Sequence, residues 1–492
     1  MIDFLVTNAT IITMNPGREV LENSSLAIDQ GRILAIGPAA ELEQKYPAKR
    51  VINAQRKIIM PGLIDCHGHA GHSMLGIFST DSLAYWGQAA VKVYFHYCAE
   101  DFWYYDGLLG ALARLRYGVT CGISVMGCEP RSDDPVFSVN HARGYAQVGV
   151  REVVCTGPRR APWPHTFGRW KDGKLVEKLV TWEEAMQGTE GVLQQCHHSA
   201  NDLIRAFVTP FTIVPSLPTW GHSAPDTAYQ LTDFDRKQSR AVRELAIKYN
   251  TRIHSDAFGN LIRLAAKDEN ALLGPDVILQ HCLGITPLEC RILAETKTNV
   301  AHSPEGFYER CPYPELIEWG VNAVITTDGA APRNSFDLLN AMRKVQFMEA
   351  VLHDDIHYLP AGKLFEAVTI DAAKALGWDD EIGSLEVGKK ADVIVINANQ
   401  AHMTPSHMPV HNVVYHAQGA DVETVIIDGK LVLDDHKVTT VDEEALLEAA
   451  DLESRQTIAR AGLAGFYNQP TWGKTYLTMD EPIDLSPLKY PD

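Results

Sequence analysis

Residues Met60-Pro61-Gly62-Leu63-Ile64-Asp65-Cys66-His67-Gly68-His69 carry an apolar run straight into two histidines one residue apart. Alternate residues of a strand point to the same face, so His67 and His69 can converge on one point if the run is a strand. Neutral imidazoles that converge bind zinc, iron, cobalt or nickel well. A lone His-x-His after a turn is an ordinary surface feature. The Pro-Gly before this one, and the further His and Asp residues downstream, turn the reading toward a metal site.

Outward from that stretch, apolar strand-like runs recur at 59–64, 118–125, 152–156, 211–217, 251–254, 277–281, 298–302 and 322–328. Helical patterns such as 235–249 and 287–296 lie between them. Eight strands alternating with helices over about 300 residues predict an α/β fold, a (β/α)8 TIM barrel spanning 59–375. No Gly-rich phosphate loop follows any of these runs, which weakens nucleotide-binding alternatives. Residues 1–58 read instead as short strands cut by turns. Similar runs return at 391–396 and 425–430, so the two chain ends, 1–58 and 376–440, are expected to form one small β-sandwich domain. A tail, 441–492, adds a helix over 443–463 and a Pro- and Trp-containing end.

The chain has 492 residues and a net charge of −18, which argues against a nucleic-acid or anionic-membrane partner. No run approaches the 18 apolar residues of a membrane span, and the first residues lack a basic leader region. Nine scattered cysteines without a CxxC pair give no disulfide framework. A cytoplasmic protein is expected.

Four predicted strand ends carry metal-type side chains: His67 with His69, then His254, His281 and Asp328. Ending a buried apolar strand in His or Asp is costly unless that group is paired or coordinated. One such residue is commonly just a hydrogen-bonded strand end; all of them in register with their strands point to a shared site.

These motifs resemble the amidohydrolase superfamily, in the branch of cytosine and guanine deaminases and triazine hydrolases. PGLIDCHGH resembles its first-strand motif, His281-Cys282-Leu283-Gly284 its sixth-strand histidine, and Thr327-Asp328-Gly329-Ala330-Ala331 its eighth-strand aspartate motif. The segments 369–377 and 383–392 are similar to the helix after the barrel and the return into the sandwich. The resemblance implies one divalent metal ion per subunit, zinc foremost with iron or cobalt also suited, held by His67, His69, His254 and Asp328. A single ion is expected because no lysine, the residue that bridges two-metal members, occurs between Lys178 and Lys237. Asp328 would move the proton of the attacking water, and His281 would hydrogen-bond the attacked group.

The fifth strand departs from the family. The deaminases carry His-x-x-Glu there, whereas this chain reads His254-Ser255-Asp256-Ala257. Aligning on the preceding helix would put Asp256, not His254, at the metal position; the separation from His281 favours His254. Asp256 or Glu305 are the candidates to replace the missing acid. His302 and Trp220 are candidate substrate contacts, His72 is placed at the pocket entrance, and Arg159-Arg160 reads as a solvated pair with a carboxylate clamp as the alternative.

The function implied is metal-dependent hydrolysis of a C–N bond in a small nitrogen-rich molecule, foremost deamination of a pyrimidine, purine or triazine ring. The missing glutamate keeps a second reading open, hydrolysis of an exocyclic amide, urea or carbamate as in phenylurea and thiocarbamate hydrolases. A non-catalytic assembly homologue is a third, disfavoured by the full set of ligands. The resemblance also implies a homodimer or higher homo-oligomer.

Overall fold

The computed structural model describes residues 1–76, 78, 83–217, 222–225, 229–304, 309–466 and 472, with only the backbone of 83–85. Eight parallel strands run in order around its centre: β1 (Leu63–Asp65), β2 (Val119–Met126), β3 (Arg151–Thr156), β4 (Ile204–Val208), β5 (Ile253–Phe258), β6 (Val277–Leu283), β7 (Asn299–His302) and β8 (Ala323–Ile325). β2, β3 and β6 are buried at every residue, as strands covered by helices on one side and barrel interior on the other must be. Three of the outer helices begin with a Thr and an acid three residues on, Thr181/Glu184, Thr232/Asp235 and Thr286/Glu289, in reciprocal capping boxes that satisfy the first free N–H groups.

Side chains close the barrel between β8 and β1. Asp65 accepts from Thr326 Oγ1 at 2.6 Å, Thr327 N at 3.0 Å and Thr327 Oγ1 at 2.8 Å. The guanidinium of Arg114 meets its other face at 3.1 Å. Asp65 and Arg114 are fully buried, so this seam is a desolvated, hydrogen-bonded pair.

Both chain ends build one further sheet. Its strand order is Lys437–Val438, Lys430–Asp434, Val422–Ile427, Val393–Asn397, Lys57–Pro61, Ile2–Ile12, Val20–Asp29 and Arg32–Pro38, with Ala48–Asn53 also on Ile2–Ile12. Val6, Ile11, Leu26, Ile28, Ile59, Val393, Val395 and Ile426 fill its core. The helix Glu443–Arg460 lies against Glu100–Arg116 and is tied to it through Arg116 and Glu443.

Two expected strands differ. The run 59–64 is not one strand: Met60 pairs with Ile394 in the end sheet, and Leu63 with Val119 in the barrel. The chain changes sheets at Gly62, where an added Cβ would lie 2.0 Å from Thr120 Oγ1. The fourth barrel strand is Ile204–Val208, not 211–217; the latter is a largely buried loop that bridges to β5 at Thr212 and Asp256. A hairpin, His165–Lys171 with Lys174–Val180, follows β3.

Candidate metal centre

The C-terminal ends of β1, β5, β6 and β8 converge on the same face of the barrel, where such folds place their chemistry. Asp328 Oδ1 sits 2.8 Å from His67 Nε2 and 3.3 Å from His69 Nε2. His69 Nδ1 donates to the carbonyl of Gly127 at 2.7 Å, which leaves its Nε2 facing Asp328. A backbone acceptor behind a ligating imidazole fixes its tautomer in this way.

His67 touches a second histidine. Its Nδ1 is 3.1 Å from His254 Nε2, the rings 5.0 Å apart and within 8° of parallel. His254 Nδ1 is buried and has no hydrogen-bond partner. His281 lies edge-on to His67 at 5.5 Å and is stacked on Phe258 at 5.6 Å. Gln280 and Ser303 approach its Nδ1 at 3.4 and 3.5 Å. At this end of the barrel, two groups among the described residues have potential ligand atoms mutually within 4.8 Å: His67, His69 and Asp328; and His67, Asp256 and His281.

The backbone is committed to this arrangement. His281 and Asp328 have φ of 70° and 64°, a left-handed conformation that costs a non-glycine residue on the order of 1–3 kcal/mol and tends to be kept at functional sites. Gly329 follows at φ 95°, and a Cβ there would lie 2.8 Å from His72 Nδ1. His72 itself is buried between His69 and Trp86, at ring distances of 4.7 and 5.1 Å.

Burial dominates the electrostatics. It pushes His67 down to about 4 and His281 down to about 3, and holds His254 well below its ordinary value. Asp328 is different: against burial, which raises it, hydrogen bonds with His67 and His69 hold it far below the carboxylate range. Burial raises Asp256 to about 7, opposed by His69 and reinforced by the charges of Asp328 and Glu129. Against burial, Asp328 holds His69 above its ordinary value; neutral His67, His254 and His281, with His69 and an ionised carboxylate, are a donor set for zinc, iron or cobalt. With the buried, unpartnered nitrogen of His254 and the tethered ring of His69, these residues fit a divalent ion.

His302 ends β7, 5% exposed, with its ring 5.5 Å from Tyr313 and pushed down to about 3 by burial. Glu305 and Trp220 lie outside the described residues. Sequence reasoning passed over Glu129, buried just beyond β2. It binds Arg159 at 3.0 Å and pairs with Arg160 as well. Arg159 is therefore not solvated; it lies 3.7 Å over the ring of Phe95. A carboxylate three residues past a buried strand was the available signal.

A protein-family model for the amidohydrolase family matches residues 236–432, and one for a bacterial imidazolonepropionase-like composite domain matches 26–48. The chain is 28% identical to a 5'-deoxyadenosine deaminase of Methanosarcina acetivorans, over 94% of this chain and 100% of that one. It is also 28% identical to a 5-methylthioadenosine/S-adenosylhomocysteine deaminase of Desulforudis audaxviator, over 92% and 99%. Among solved structures, an adenosine deaminase of Xanthomonas campestris with bound zinc superposes with a TM-score of 0.76 at 24% identity, covering 94% of this chain and 99% of that one. A zinc-containing atrazine chlorohydrolase of Arthrobacter aurescens gives 0.76 at 18% identity, over 92% and 100%.

Proposed function

We propose that this chain, a member of the amidohydrolase superfamily, is a metal-dependent hydrolase that deaminates a nitrogen heterocycle, with aminopurine nucleosides the first substrates to test. The observation that carries this reading is the shared contact of His67 and His69 with one oxygen of Asp328, at 2.8 and 3.3 Å, on the catalytic face of the barrel. The two deaminases it resembles along nearly their whole length, named for 5'-deoxyadenosine and 5-methylthioadenosine/S-adenosylhomocysteine, support the substrate class.

His67, His69, His254 and Asp328 would hold one divalent ion per chain; β4 offers no lysine to bridge a second. Bound there, the ion supplies a water of lowered pKa and polarises the attacked group. The residues do the rest. Asp328, ionised and fixed by two imidazoles, takes the proton of the attacking water and returns it to the departing nitrogen. His281, held neutral, hydrogen-bonds the attacked centre or the charge that develops on it. Water adds to the ring carbon, the C–N bond to the exocyclic amine breaks, and ammonia and a ring carbonyl remain.

One observation favours a second reading. Three residues beyond His254 stands Ala257, and three beyond Asp256 stands Gly259, where an added Cβ would lie 2.2 Å from the carbonyl of Gly284. Neither register supplies an acid to protonate a ring nitrogen. Ureas, amides or carbamates need only the leaving group protonated, and hydrolysis of such a substrate is the alternative.

The test is ammonia and amine release from a panel of aminopurine nucleosides, aminopyrimidines, aminotriazines and aryl ureas. Ammonia from a ring amine is the expected result, abolished by Asp328→Asn. Amine from ureas with every ring untouched would overturn deamination in favour of the second reading.

A further inference from the structure

The turn that follows His69 has no capping side chain of its own. His69 and Ala70 pair with Val125 and Met126 of β2, and the chain then bends at Gly71, φ 92°, into a short helix, His72–Leu75. Gly71 stands at the N-cap, where a serine or aspartate side chain would ordinarily accept a free N–H of the first turn. No side chain fits there: an added Cβ would lie 2.4 Å from the ring of Tyr94.

A carboxylate from another helix takes that place. Asp106, buried on Glu100–Arg116, accepts from Gly71 N on Oδ2 at 2.5 Å and from Met74 N on Oδ1 at 3.2 Å. These are the N-cap and N3 amides, the pair that a capping box satisfies, here served by one residue 35 and 32 positions away. Asp106 is braced from behind. His141, on the helix Pro135–Val148, places Nε2 3.1 Å from Asp106 Oδ2, and its Nδ1 faces Glu152 Oε1 of β3 at 2.7 Å.

The turn matters for what it carries. His69 is tethered on one side by the Gly127 carbonyl at 2.7 Å and packs on the other against the ring of His72 at 4.7 Å. Gly71 lies between these two histidines in the chain, so any shift of the turn moves both rings relative to Asp328.

Resting on the reading of this site as a metal centre, we infer that Asp106 is a positioning residue for it: by holding the turn from Gly71 to Met74, it fixes the direction in which His69 presents Nε2 to the ion. Asp106 is not a ligand. Both of its oxygens are spent on N–H groups, and the chain Glu152–His141–Asp106 carries the positions of two helices and a strand to one turn. Asparagine cannot replace it, because an amide has one acceptor oxygen and its NH2 would face a second donor.

Zinc affinity, by competition with a chromophoric chelator, and the d–d absorption of the cobalt(II)-loaded full chain separate this role from a merely structural one. Asp106→Asn should weaken zinc by about 10-fold or more, the scale of a lost outer-shell partner, and change the cobalt spectrum. Its kcat should fall while KM stays near the wild-type value, since Asp106 touches no substrate. His141→Gln loosens the brace but leaves both amide bonds of Asp106, and should weaken zinc by a smaller factor. A lowered melting temperature in Asp106→Asn with wild-type zinc affinity and cobalt spectrum would overturn the inference and leave Asp106 a cap alone. If Asp106→Asn does not fold, His141→Gln decides: unchanged zinc affinity and an unchanged cobalt spectrum refute it. A wild type that takes up neither zinc nor cobalt would instead refute the metal centre itself, a separate outcome.

Discussion

Arg151, the first residue of β3, and Asp392, which precedes the end-sheet strand Val393–Asn397, form a buried two-pronged pair. Arg151 Nε reaches Oδ2 at 2.6 Å and Nη2 reaches Oδ1 at 3.0 Å. Asp428 takes Nη2 as well, at 2.9 Å. The pair joins the barrel to the sheet made by the chain ends. Removing Asp392 strips the buried Arg151 of its two-pronged partner and leaves Asp428 on Nη2, a cost of up to about 3–5 kcal/mol. Asp392→Ala should lower the unfolding free energy by that amount in denaturant titrations. The double change Arg151→Met/Asp392→Leu should recover most of it; a double variant no better than the single would refute this account.

The seam at Asp65 makes a related prediction. Asp65→Ala strips acceptors from Thr326 and Thr327 and leaves Arg114 without its carboxylate. Thermal unfolding should shift downward by the equivalent of about 3 kcal/mol or more. Thr326 also donates to the carbonyl of His67 at 2.6 Å, so zinc retention on dialysis should fall with it.

His141 lies buried between Asp106, at 3.1 Å, and Glu152, at 2.7 Å. Against burial, which lowers it, Glu152 and Asp106 raise it to about 9. A folded-state value above the unfolded one, about 6.5, stabilises the fold fully below pH 6.5. That contribution is lost as pH rises through 9, at up to about 1.4 kcal/mol per pH unit. Denaturant titrations from pH 6 to 9.5 should show this decline in wild type and a flatter profile in His141→Gln. Parallel profiles would show that His141 does not titrate in this range.

Removing the ion should abolish turnover and lower stability together. With free zinc a thousandfold above its dissociation constant, binding to the folded state alone adds about 4 kcal/mol. Melting curves at graded zinc concentrations should rise accordingly after chelation, and zinc or cobalt should restore product release. A melting temperature independent of zinc would argue against binding at the native site.

Much of this was legible in the sequence. The β1 and β8 ends announced themselves because an apolar run stops at His or Asp, and His67, His69 and Asp328 do meet. The fourth strand was not legible, for a physical reason. The run 211–217 is apolar because Phe211, Ile213 and Val214 pack inward as a loop, with prolines at 210 and 215 that cannot donate to a sheet ladder. The true strand, Ile204–Val208, contains Arg205, whose guanidinium lies 3.9 Å over Trp378 and pairs with Asp202; that charge breaks the apolar pattern. The hairpin did carry a signal, Asp172-Gly173 between two runs, a dipeptide suited to a tight two-residue turn. His254 and Asp256 share an inward face, so alternation alone could not rank them as ligands.

The end sheet has a consequence for how the protein is made. Lys57–Pro61 has one neighbour in Ile2–Ile12 and the other in Val393–Asn397. On a ribosome adding about 5–20 residues per second, that second neighbour emerges some 330 residues later, on the order of 20–60 s. For that interval the nascent chain exposes an open, apolar strand edge, Ile58-Ile59-Met60, beside the segment that leads into the metal site. Chaperone occupancy and aggregation of ribosome-bound chains should therefore peak before residue 393 is released and fall once Val393–Asn397 can dock.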